Sequence, residues 1–117
     1  VVYVNEARWY AFSFALVGWG FNSGDAYVVL RETLQTGALN NYGRWSGPQA
    51  DELLKLAQTE MDLAARARAM AGAQRLAIED LAVLPTHFQV NVWATRRGIR
   101  LVPRVDESTL AEDIRPE

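Results

Sequence analysis

Trp9-Tyr10-Ala11-Phe12-Ser13-Phe14-Ala15-Leu16-Val17-Gly18-Trp19-Gly20 is the stretch on which the fold class turns. Tyr10, Phe12, Phe14 and Leu16 fall on one alternating row, and Trp9, Ala11, Ala15, Val17 and Trp19 fall on the other. A strand apolar on both faces belongs inside a layered α/β sheet, where neither face meets water. The strand runs into Gly18-Trp19-Gly20-Phe21-Asn22-Ser23-Gly24-Asp25, whose glycines open backbone angles closed to other residues. That makes a loop at a strand's C-terminal end, the place where ligands collect in open α/β sheets.

Moving outward, Tyr27 to Thr36 suits a short helix with Val28, Leu30 and Leu34 as apolar positions, followed by a polar connection from Gly37 to Gly47. Pro48 stands where the first turn of a helix tolerates it, and Leu53, Leu54, Leu56 and Ala57 supply a buried stripe, so a helix is expected from Pro48 to about Thr59. Asp62 caps a second helix over Leu63 to Asp80, in which Leu63, Ala67, Met70, Ala71, Gln74, Ile78 and Leu81 recur at helical spacing. The two form a helical hairpin with an alanine-rich contact surface. The period then changes to two: Leu84, Thr86, Phe88, Val90 and Val92 on one row, Pro85, His87, Gln89, Asn91 and Trp93 on the other. Arg96-Arg97-Gly98 reads as a turn, Ile99 to Val102 as a short strand, and Pro103 to Glu117 as an irregular, acidic, surface-lying tail.

Composition bounds the rest. With 117 residues, 50% hydrophobic and 22% charged, the chain has the balance of a globular domain or part of one. Twelve basic against fourteen acidic side chains leave a net charge of -2, which gives no general attraction to nucleic acid or to an anionic membrane. The local run Arg96, Arg97, Arg100 and Arg104 beside Trp93 reads as a solvated turn and strand, since no nucleic-acid fold signature accompanies it. There is no cysteine, which removes disulfides and thiolate chemistry. No apolar window reaches the roughly 18 residues that a membrane helix needs. Val1-Val2-Tyr3-Val4 has neither an initiator methionine nor the plan of a signal peptide, so the chain is expected to begin within a longer one.

Three kinds of chemistry can be weighed. Asp25, His87 and a serine or threonine make a hydrolytic constellation on paper, but no Gly-x-Ser-x-Gly elbow is present and no orienting carboxylate is identified for His87. One histidine, no cysteine and the pairs Asp106-Glu107 and Glu112-Asp113 make a poor metal set, and those pairs read as solvated tail charge. No metal or cofactor is expected. The glycine-rich loop lacks the spacing of a phosphate cradle. It presents instead an indole, Trp19, held between Gly18 and Gly20, with Asn22 and Asp25 close behind: a wall for stacking and directional hydrogen bonds to an amine- or amide-bearing small ligand. The plainer alternative packs Trp19 in the core and uses Asp25 to cap the following helix.

The order of these features resembles the extracytoplasmic solute-binding proteins of peptide-type ABC importers, the dipeptide, oligopeptide and nickel family. The strand ending in Gly18-Trp19-Gly20, the turn Ser23-Gly24-Asp25, and Tyr42 to Pro48 leading into Asp51-Glu52-Leu53-Leu54 carry the likeness. So do Ile78-Glu79-Asp80, Leu84 through Ala94, and Val102-Pro103-Arg104 through Asp106 and Leu110 to Arg115-Pro116. The likeness covers nearly everything from about Phe12 onward. It implies the C-terminal fragment of a two-lobed α/β periplasmic-binding-protein fold, with the helical hairpin packed on a mixed sheet. Residues 1-94 then form part of the C-terminal solute-binding lobe, and 95-117 form a tail crossing back toward the N-terminal lobe.

The resemblance further implies a periplasmic or extracytoplasmic location, a small peptide or related solute, an ABC permease as partner, and binding without catalysis. The ligand-binding set implied is Trp19, Gly20, Asn22 and Asp25 with His87 and Gln89, the loop and the polar row of the later strand lining one wall of a cleft. Family members often carry an aspartate for the ligand's amine where this chain has Asn22, an uncharged acceptor, which leaves room for other amides, modified peptides or opines. A chain holding half of a clamp is expected to bind solute weakly by itself, and its open strand edges favour a homodimer. Two readings of other classes stand beside this one: a small hydrolase using His87, and an interaction module built on the helical hairpin.

Overall fold

The computed structural model describes residue 6 and residues 12-20, 24-104 and 106-117. Contacts divide the chain into two units, Val1–Pro85 and Thr86–Glu117. In the first, Gly24 turns the chain with a positive φ of 67° and Asp25 caps helix α1 (Ala26–Leu34), accepting the Tyr27 N–H at 2.9 Å. Helix α2 (Pro48–Thr59) starts with proline at its first turn, as read from the sequence. Asp62 accepts the Ala65 N–H at 2.7 Å and opens α3 (Leu63–Glu79). The first helix ends two residues earlier than the sequence suggests, because Gln35 leaves helical angles and Gly37 takes a φ of 76°.

The three helices pack on one another, α2 against α3 most extensively. Their shared core is small: Leu30, Leu34, Ala50, Leu54, Ala73 and Ala77, flanked by Trp45, Leu53, Met70 and Leu76. Alanines let the hairpin close, and Gly72 takes this furthest, since a Cβ there would meet Leu53 Cδ1 at 3.0 Å. The connection from α1 to α2 is held by buried Asn41, which donates to the Gln35 and Trp45 carbonyls at 3.2 and 2.7 Å and accepts the Trp45 N–H at 3.1 Å. The Trp45 indole then donates to Asp80 Oδ2 at 3.1 Å, fastening the connection to the end of the hairpin. Its ring lies where any Cβ at position 47 would have to stand, so Gly47 is required for space and not for its φ of -127°. Helix α3 ends in a Schellman arrangement, the N–H of Ala82 reaching the Ala77 carbonyl at 2.8 Å and that of Leu81 the Ile78 carbonyl at 3.0 Å. Leu81, with φ 56°, occupies the left-handed position where glycine is usual.

In the second unit, β1 (Ile99–Leu101) pairs antiparallel with β2 (Ile114–Pro116), Ile99 facing Pro116 and Leu101 facing Ile114. A single 3-10 turn, Ala111–Asp113, leads into β2. Arg104 grips the bend, donating from Nε and NH2 to the two Asp106 carboxylate oxygens at 2.9 and 2.8 Å, with Asp113 at 3.7 Å. The guanidinium and the Ser108 N–H hold the Asp106 carboxyl at a pKa of about 2. The tail expected to be irregular therefore folds back and supplies a strand.

Two further expectations are corrected. Residues 12-20 lie in no strand, and most are exposed, Phe14 and Leu16 among them; Trp9 to Ala11 lie outside the described residues. The Leu84 to Trp93 stretch, read as a strand, likewise belongs to no ladder. Alternation prepares a pleated surface, but a strand exists only where neighbours pair with its backbone in a ladder, and neither stretch lies in one. The expected mixed sheet is, among the described residues, one antiparallel pair of three-residue strands, and the hairpin's apolar stripe is covered by α1.

Candidate functional site

Trp19 is 37% exposed and stands between Gly18 and Gly20, so it is not the buried core residue of the plainer alternative. Among the described residues nothing stands within 4 Å of a Cβ placed at Gly20. Asn22 lies outside the described residues. Asp25 does cap its helix, and its other carboxylate oxygen accepts from Arg66 NH1 at 2.7 Å. The Arg66 hydrogen bond, and next the Tyr27 N–H, hold the Asp25 carboxyl below the usual carboxylate range.

Arg66 is the residue the sequence reading missed. Its Nε donates to the Ala57 carbonyl at 2.9 Å and its guanidinium lies over the Tyr27 ring, 5.5 Å from the centroid. Asp25 and Arg66 are distant in sequence, and Arg66 is not among the residues of the helix's apolar repeat.

The polar row belongs to the second unit. His87 is exposed, its Nδ1 3.0 Å from Thr86 Oγ1, and among the described residues no carboxylate is hydrogen-bonded to it. That leaves the hydrolase reading without an orienting acid. Gln89, Asn91 and Trp93 line a shallow hollow of about 270 Å³ together with Glu107, which the folded-back tail delivers to this row. The first unit has a larger hollow, about 830 Å³, where Leu53, Leu56, Gly72 and Leu76 form an apolar floor between Glu52 and Arg75. No group of His, Cys, Asp and Glu among the described residues is arranged to hold a metal ion. No described helix is long and apolar enough to cross a membrane.

The chain is 31% identical over 88 residues to the peptide transport periplasmic protein SapA of Salmonella typhimurium, covering 73% of this chain and 16% of that protein. It is 24% identical over 99 residues to the oligopeptide-binding protein OppA of Bacillus subtilis, covering 85% of this chain and 18% of that protein. Over these spans the chain is similar to periplasmic binding proteins of peptide transport. A third such protein, the probable ABC transporter periplasmic-binding protein SapA of Escherichia coli, shows 31% identity over 73% of this chain. The chain spans less than a fifth of the length of these solute-binding relatives. No family model matches it, and no solved structure gives a significant match.

Proposed function

We propose that this chain is the C-terminal part of the substrate-binding component of an ABC importer for peptides or related amide-bearing solutes. It binds without turnover and works in the periplasm or its equivalent. The similarity to three peptide-transport binding proteins across 73 to 85% of the chain carries this reading. The half-exposed indole of Trp19 beside Gly20 is its physical counterpart. On this reading Trp19 stacks on the solute and Asn22 and Asp25 offer it polar groups, while His87 and Gln89 are proposed as ligand contacts of the second unit in their own right. Residues to about Ala94 belong to the solute-binding lobe, and residues 95-117 cross back toward a first lobe supplied by the remainder of a longer protein. Closure of the two lobes traps the solute for an ABC permease.

Calorimetry on the whole binding protein tests this with a panel of di- to pentapeptides. Trp19→Ala is expected to weaken binding about tenfold, the size of a lost stacking contact. Unchanged affinity in Trp19→Ala would count against the proposed site, and tight stoichiometric peptide binding by the 117-residue chain alone would count against the need for a second lobe. Cleavage of any peptide in the panel would favour the hydrolase reading instead.

A second partner is proposed for the chain by itself: another copy. Among the described residues no hydrogen bond joins the backbone of residues 83-95, and the apolar row there faces water, Phe88 at 99%, Val90 at 80% and Val92 at 87% exposure. Residues 81 to 95 carry no acidic or basic side chain other than His87, so two copies meet no like-charge repulsion. Antiparallel pairing centred on Val90 sets Phe88 opposite Val92 and Gln89 opposite Asn91, apolar on apolar and amide on amide.

A further inference from the structure

Arg66 differs from the other arginines of α3. Arg75 is largely exposed and only approaches Glu79, at 3.6 Å across one turn. Arg66 is mostly covered, and a single guanidinium joins three elements. From the first turn of α3 it reaches the Ala57 carbonyl, one of those that the last turn of α2 leaves without an intrahelical partner. It reaches Asp25, the cap of α1, at 2.7 Å, and covers the Tyr27 ring, which Arg31 also approaches at 5.9 Å. Two directed donors, Nε and NH1, act at once, and lysine cannot reproduce that fork.

The position of this clamp gives it a consequence beyond packing. Asp25 is the last residue of the glycine-rich segment that begins at Gly18, and Gly24 just before it takes a backbone conformation specific to glycine. The segment's exit is therefore fixed to the junction of α2 and α3. A glycine-rich segment without such an anchor would lose more conformational freedom on binding a solute, and affinity would fall accordingly. We propose that Arg66 is a positioning residue for solute binding: it pins the exit of the 18-25 segment through Asp25 and the Ala57 carbonyl, and touches no solute itself. The inference rests on the reading that this segment forms part of a peptide-solute wall.

Two measurements separate the inference from that reading. In the 117-residue chain, Arg66→Gln is expected to speed amide hydrogen exchange at Tyr27 and Val28 at least tenfold, while amides at Leu54 and Ala73 keep their protection. A uniform rise along the hairpin, or no change at Tyr27, overturns the clamp. In the whole binding protein titrated with tri-alanine and the same peptide panel, Arg66→Gln is expected to weaken binding about tenfold with little loss of thermal stability. Arg66→Lys should behave likewise, which keeps the test alive if the glutamine variant does not fold. In an Asp25→Asn background, which keeps a capping oxygen but lacks the charge, Arg66→Gln should cost less than in the wild type, because the Ala57 contact is what remains to lose. Additive losses would overturn action through Asp25. If the wild-type protein binds none of the peptides, the solute reading fails and takes the functional half of this inference with it, while the exchange result still decides the clamp. If the wild type binds and Arg66→Gln binds equally well, only the positioning role fails.

Discussion

Residues up to Pro85 and residues from Thr86 onward solve opposite problems. The first unit holds the core, since every buried residue among those described, from Leu30 to Ala77, lies in it, although Phe14, Met61 and Leu63 stay exposed. The second displays its apolar side chains: Phe88, Val90 and Val92 face solvent, and Arg104 with two aspartates does the work of holding a bend that a core does elsewhere. The difference follows from where each element finds its partners. Helices satisfy their own backbone and need only one covered face, whereas a strand needs a neighbour for its backbone as well.

The largest expected effect breaks this contrast at its centre. Leu54 is 2% exposed, and Leu54→Ala should cost about 3 kcal/mol in urea unfolding. Phe88→Ala removes a larger side chain and should stay within about 0.5 kcal/mol, because nothing covers it. Equal costs would mean that the second unit has a core after all.

Next comes the self-pairing of the exposed row. The chain has no cysteine, so Val90→Cys introduces a single thiol that the proposed register places opposite its own copy. Air oxidation should give a covalent dimer, and Phe88→Cys much less of one. A strictly monomeric mass at high concentration would rule the pairing out.

Acid should affect the second unit more gently. The Asp106 carboxyl is held at about 2, below its ordinary value of 3.8, by Arg104 and the Ser108 N–H. The contribution is complete above the ordinary value and disappears as pH falls through about 2, and salt should weaken it because the pair is exposed. NMR titration of the Asp106 carboxyl near 3.8 would show that Arg104 does not hold it. The smallest effect concerns Leu81. Replacing it by glycine relieves a left-handed backbone and should raise stability by a few tenths to about 1 kcal/mol, read from the shift in urea midpoint.

The sequence was legible wherever the deciding interactions are local. Pro48, Asp62 and the apolar period placed α2 and α3 nearly to the residue, and Asp25 was recognised as a possible cap. It was opaque wherever a partner stands far along the chain. Residues 12-20 and 84-93 have strand patterns but lie in no strand. β2 escaped notice because Arg104, Asp106 and Asp113 make its turn with side chains instead of a glycine signal. In the candidate site, the exposure of Trp19 suits the ligand-facing reading, whereas Arg66 and Glu107 enter only through tertiary approach.

The hydrogen bond from the Trp45 indole to Asp80 equips the molecule with its own optical gauge. Of the other three tryptophans, Trp19 and Trp93 lie outside the helical core cluster and Trp9 lies outside the described residues. With those three replaced by phenylalanine, the emission of the remaining ring would report through its colour whether the loop still grips the hairpin's end, with no dye attached.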